Sequence, residues 1–152
     1  MVEEGLDPIL IQVTIPLPTA MIFRAWTDAK QIEGWLCDSA KVDGSEGGPY
    51  ELTWKSPEPF TSRGKITALH PDLDLEFSWT GPPSFSDLMN EPSARTHVYV
   101  RLQDSPEGID VTLEHVGWLS GEAWEEARSW HFRLWDERMT RLKEYLLRQA
   151  YG

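Results

Sequence analysis

From Glu122 to Tyr151 the chain contains no glycine and no proline, and it is rich in Glu, Ala, Arg and Leu. Such a stretch favours one unbroken helix. Trp124, Ala127, His131, Leu134, Trp135, Arg138, Leu142, Tyr145 and Leu146 recur there at three- and four-residue steps, which marks one inward stripe. A helix of about 27 residues runs ~40 Å at 1.5 Å per residue, long enough to cross a whole sheet.

The rest of the chain supplies that sheet. Ile9, Ile11, Val13 and Ile15 share one face of a first strand, and Pro16-Leu17-Pro18 stops it. Pro18 opens a helix with Met21, Ile22, Ala25 and Trp26 on its apolar side. Thr27-Asp28 reads as a break and recap before a short helix to about Gly34. The period then switches to two. Leu36 to Val42, Tyr50-Leu52-Trp54, Ser62 to Leu69, Leu73-Leu75-Phe77-Trp79, Thr96-Val98-Val100-Leu102 and Ile109-Val111-Leu113-His115 read as a meander joined at Gly-, Pro- and Asp-rich turns. The expected layout is strand, two short helices, six strands, long helix. Its class is α+β, one domain over 1–152, with a curved antiparallel sheet wrapped around the C-terminal helix.

A strongly twisted sheet under one long helix cannot close everywhere along its curve. The space between is plugged by large side chains or left as a cavity. Composition sharpens that choice, because 8 of the 152 residues are tryptophan. Trp54, Trp79, Trp124 and Trp135 fall on inward faces by parity or helical period, as core filler or cavity lining. Gly81–Ala94 exceeds the usual hairpin loop of roughly 2–5 residues and carries unplaced Phe85, Leu88 and Met89, so it reads as a lid at the pocket mouth.

Charge and cysteine content exclude several classes. Lys and Arg total 14 against 25 Asp and Glu, a formal charge of −11, which argues against nucleic acid and anionic membranes. Cys37 is the single thiol, so no intrachain disulfide is expected. The opening Met1-Val2-Glu3-Glu4 is acidic and lacks a signal peptide's basic and apolar regions, and no apolar run reaches membrane-helix length. A cytoplasmic location is the expectation.

Motifs for nucleophilic, metal or phosphate chemistry are missing. There is no Gly-x-Ser-x-Gly elbow and no His-Glu-x-x-His, and the Gly44–Gly48 cluster lacks the lysine and helix that a phosphate cradle needs. No catalytic residue, cofactor or metal is expected. His115 and His131 share inward faces; they either accept protons and orient a ligand, or sit as satisfied core histidines. Arg138 lies on the helix stripe and either reaches an anionic ligand or snorkels and pairs with a carboxylate.

Taken in order, several segments resemble homologues of the activator of heat-shock protein 90 ATPase, within the START-related helix-grip (SRPBCC) superfamily. They are Ile15 to Asp28, Trp35, Gly47-Gly48-Pro49-Tyr50, Gly64 to Pro71 with Leu75 to Trp79, Val111 to Trp118, and Trp135 to Leu146. The resemblance covers about residues 9–147 and implies a helix-grip fold with an internal cavity. Pro49 and the Pro-rich Gly81–Ala94 loop depart from the family pattern. The expected function is a module holding a small apolar or aromatic ligand between sheet and helix. Its expected ligand-binding residues are Tyr50, Trp54, Phe77, Trp79, His115, Trp124, His131 and Trp135. The alternatives are an interaction protein for a chaperone ATPase, and an enzyme using His115 or His131 as acid–base. A homodimer and a chaperone contact stay open.

Overall fold

The structure is a computed structural model and describes residues 5–152. The acidic opening Met1–Glu4 lies outside the described residues. Strand β1 (Ile9–Ile15) alternates as its sequence implies, with Ile9 and Ile15 buried, Ile11 and Val13 half-buried, and Leu10 and Gln12 outward. Helix α1 (Thr19–Thr27) follows Pro18 and buries Ile22, Phe23, Ala25 and Trp26. Asp28 ends it and caps α2 (Ala29–Ile32), accepting the Lys30 backbone N–H at 3.0 Å.

The next strand, β2 (Ser39–Val42), begins three residues later than the alternation implied. The Leu36 N–H donates to the Ile32 carbonyl at 2.8 Å, so α2's last turn holds Trp35 and Leu36 out of the ladder. The meander continues through β3 (Pro49–Trp54), β4 (Phe60–His70), β5 (Asp74–Trp79), β6 (Thr96–Ser105) and β7 (Gly108–Val116). The strand order is β1-β7-β6-β5-β4-β3-β2, with every pair antiparallel. A register shift between Ile66 and Ala68 interrupts the β4–β5 ladder, a bulge of the kind that bends a strand and raises its twist. Gly64, opposite Tyr50, has no room for a Cβ, which would run into the Ser78 carbonyl oxygen. That explains a glycine in mid-strand.

Helix α4 (Glu122–Tyr151) has 30 residues and is ~45 Å long. It buries Trp124, Ala127, His131, Trp135, Met139, Leu142 and Leu146. Leu134, Arg138 and Tyr145, placed on the same stripe by sequence, are only half-buried. The Tyr145 hydroxyl ties α4 to the end of α2 by donating to Gln31 Oε1 at 2.9 Å. Between β5 and β6 the lid segment is not irregular. It folds into a 3₁₀ turn (Pro83–Phe85), a one-turn helix α3 (Ser86–Met89) and a second 3₁₀ turn (Pro92–Ala94). Among the described residues, no helix is long and apolar enough to cross a membrane.

Candidate functional site

All eight side chains expected to line a pocket are buried. Four of them meet in one cluster: the Trp79 ring lies 5.3 Å from Trp135, 5.6 Å from His115 and 5.7 Å from His131. Trp54 lies 5.8 Å from Trp79 on its other side. Tyr50 and Phe77 form a separate stack at 4.0 Å, and the Tyr50 hydroxyl donates to the Trp26 carbonyl at 2.7 Å. Trp124 reaches the cluster through Trp118, which touches both histidines at 4.6 and 5.1 Å. Trp118 and Trp35 belong to this core although sequence parity did not single them out as inward.

The cluster satisfies its polar atoms internally. Trp79 donates its indole N–H to His131 Nε2 at 3.0 Å, which leaves Nδ1 to carry the ring proton and donate to the Ala127 carbonyl at 2.8 Å. Trp135 donates to His115 Nδ1 at 3.0 Å, so His115 donates from Nε2 to the buried Thr96 hydroxyl at 2.9 Å. Trp54 and Trp118 donate to the carbonyls of Leu36 and His115. Buried polar groups are tolerated when paired in this way. Both imidazoles are held neutral. Burial, followed by the neighbouring His131 and His97, holds His115 well below the ordinary histidine value. Burial also brings His131 down to about 4, partly opposed by the Ala127 carbonyl. With both nitrogens of each ring engaged, these histidines act as struts between sheet and helix.

The accessible chemistry lies at the rim. Phe60 stacks on its cross-strand partner Trp54 at 4.7 Å, Trp130 meets Phe60 at 5.8 Å, and Phe85 meets Trp130 at 6.1 Å. Phe60, Phe85 and Trp130 are half-buried. Phe85 and Trp130 also contact His131, at 6.3 and 4.7 Å. The resulting ribbon borders a groove of about 410 Å³ between the lid and α4, lined by Phe85, Leu88, Ala123, Glu126 and Trp130, with Pro83, Ser84 and Asp87 of the lid completing it. Of these, sequence reasoning marked only the lid residues, Phe85 and Leu88 among them. Trp130 was missed because it sits one position off the inward stripe. Phe60 was missed because β4 starts two residues earlier than expected, although its parity with Ser62 was a usable signal.

The lid is fastened at its base. The Gly81 backbone N–H donates to Asn90 Oδ1 at 2.8 Å, and Asn90 Nδ2 returns a bond to the Gly81 carbonyl at 3.3 Å. Met89 is fully buried, and the Ser84 hydroxyl donates to the Glu58 carboxylate at 3.1 Å. Among the described residues no group of histidine, cysteine and carboxylate side chains has a metal-holding arrangement.

A curved antiparallel sheet gripping a long C-terminal helix defines the helix-grip class. The model of the family described as Activator of Hsp90 ATPase homolog 1-like protein matches residues 16–147, and the chain belongs to that family. At that level it is a ligand-binding or Hsp90-related module. Among solved structures, a Mesorhizobium loti protein shares 19% identity at a TM-score of 0.76, covering 93% of this chain and 97% of that one. A Staphylococcus aureus protein of unknown function shares 12% at 0.78, with 98% of each chain covered. The Aha1 dimer from Colwellia psychrerythraea shares 16% at 0.64, covering 91% and 98%. Among curated proteins none matches.

Proposed function

We propose that the protein is a single-domain cytosolic module for a small apolar or aromatic molecule, taken up where the lid meets α4. The carrying observation is the half-exposed aromatic ribbon whose Phe85 and Trp130 rings rest on His131. A concave groove that sets aromatic and aliphatic side chains, here Phe85, Leu88 and Trp130, beside a few polar ones, here Ser84, Asp87 and Glu126, has the mixed lining such a site uses. The interior tryptophans and histidines then act as its floor. Trp79, His115, His131 and Trp135 set the shape and rigidity of that floor, while Tyr50, Phe77, Trp54 and Trp124 support it from behind. Opening the lid at the Asn90 clamp would extend the groove towards Trp79.

A neutral naphthylamine dye tests the reading by its fluorescence. Saturable binding that Trp130→Ala weakens supports it, and binding insensitive to both Trp130→Ala and Phe85→Ala sinks it. Family membership favours a second reading, contact with an Hsp90-type ATPase. ATP turnover by such an ATPase with and without this protein tests that. A homodimer accords with the dimeric Colwellia neighbour, and light scattering decides it.

A further inference from the structure

The lid groove carries charge of one sign. Its lining contains two carboxylates, Asp87 and Glu126, and no lysine, arginine or histidine. Asp87 belongs to α3 and Glu126 to α4, so each wall of the groove contributes one. Both are exposed, and neither has a hydrogen bond or ion pair among the described residues. A third carboxylate, Glu58, accepts from the hydroxyl of the lining residue Ser84 at 3.1 Å.

Positive charge on α4 is committed elsewhere. Arg128 donates to the Asp7 and Pro8 carbonyls at 2.6 and 3.1 Å. Arg133, one turn beyond Trp130, lines a separate hollow with Asp136 and Glu137. Arg138 and Arg141 share Glu137 Oε1, at 3.3 and 3.2 Å. Ala123 brings the partly positive start of α4 to the groove, but Glu122 and Glu125 in that first turn offset it. The His131 ring beneath Phe85 and Trp130 is held neutral by burial.

The rest of the lining is carbon surface. Phe85 and Trp130 are half-buried, with centroids 6.1 Å apart and planes inclined at 64°, so they meet edge to face instead of stacking. The face of an aromatic ring is negative and attracts a cation. Rings and carboxylates therefore favour the same sign of charge. An anion would be repelled by Asp87 and Glu126, whereas a neutral molecule gains from the carbon surface alone.

Resting on the lid-groove reading above, we propose that the ligand is an organic cation, an alkylated ammonium group carrying a small aromatic or aliphatic body. The body lies on Phe85, Leu88 and Trp130, and the ammonium head sits between Asp87 and Glu126. Aromatic surfaces recognise alkylated ammonium groups without a fixed hydrogen-bond geometry. The chain's net charge of −11 steers such a cation towards the protein.

Benzyltrimethylammonium and its neutral carbon isostere, neopentylbenzene, differ in one atom and one charge. Each is titrated into the full chain while the Trp130 indole N–H signal is followed by nuclear magnetic resonance. Both are expected to move that signal saturably, the cation about tenfold more tightly. Asp87→Asn combined with Glu126→Gln should bring the two affinities together, and both sites are exposed, so the fold is retained. Glu144→Gln removes a carboxylate ~27 Å along α4 from Glu126, beyond the screening length of about 8 Å, and should leave the preference intact. Equal affinities, or tighter binding of neopentylbenzene, overturn the charge assignment while the groove reading stands. Cation binding that leaves Trp130 unmoved overturns it too, as does a preference that survives the double substitution. A Trp130 signal that neither compound moves sinks the groove reading itself, and this assignment with it.

Discussion

Trp79 on β5 and His131 on α4 meet through one hydrogen bond, indole N–H to Nε2 at 3.0 Å, with both residues fully buried. The bond joins sheet to helix at the centre of the aromatic cluster. Trp79→Phe keeps most of the ring but leaves Nε2 buried without a donor. It should cost about 1–3 kcal/mol. Pairing it with His131→Phe in a double-mutant cycle should reveal a coupling of about 0.5–3 kcal/mol, read from urea midpoints.

The neutral histidines also set an acid limit. Burial depresses both His115 and His131 in the folded state, the latter to about 4, whereas unfolded histidine titrates near its ordinary 6.5. Between those values the unfolded chain binds more protons, so stability rises with pH. Their contribution is fully present above about pH 6.5 and is lost as pH falls towards 4. Each group adds a slope of up to about 1.4 kcal/mol per pH unit in that window. Urea midpoints between pH 5 and 6.5 should fall with acidity, and His131→Gln should flatten the fall. An unchanged slope would assign it to other groups.

Ala127 separates a packed interior from an empty one. It is fully buried, and its carbonyl holds the His131 ring. Ala127→Leu should cost about 1–3 kcal/mol through overpacking. A urea midpoint equal to the parent's would reveal spare volume between helix and sheet.

Lid opening should depend on Asn90, whose amide bonds both the N–H and the carbonyl of Gly81. Asn90→Ala removes the clamp without touching the groove lining. Hydrogen exchange in residues 81–90 should accelerate while residues 74–80 stay protected, and dye on- and off-rates should rise together. Exchange as slow as in β5 would mean that buried Met89 alone holds the segment.

Alternation and helical spacing reveal much of this architecture. The parity of Trp79 and His115, and the period through His131 and Trp135, bring those four residues to one place, as the ring distances show. Periodicity alone does not reveal whether converging rings enclose space or fill it. That depends on where each indole N–H finds its acceptor: here histidine nitrogens accept from Trp79 and Trp135, and backbone carbonyls from Trp35, Trp54 and Trp118. The rim is less legible because Trp130 and Phe60 gain their roles from the stacking of β3, β4 and α4. Arg138 was visible on the stripe, but its buried Nε depends on how α2's last turn meets α4.

The most direct test of the ligand-binding claim follows the indole N–H signals of the eight tryptophans while the neutral naphthylamine dye is added to the full chain. Trp130 should shift saturably, with Trp79 responding through His131, while Trp35 stays in place. Saturating dye that leaves Trp130 unmoved would contradict the assignment of the lid groove as the ligand site.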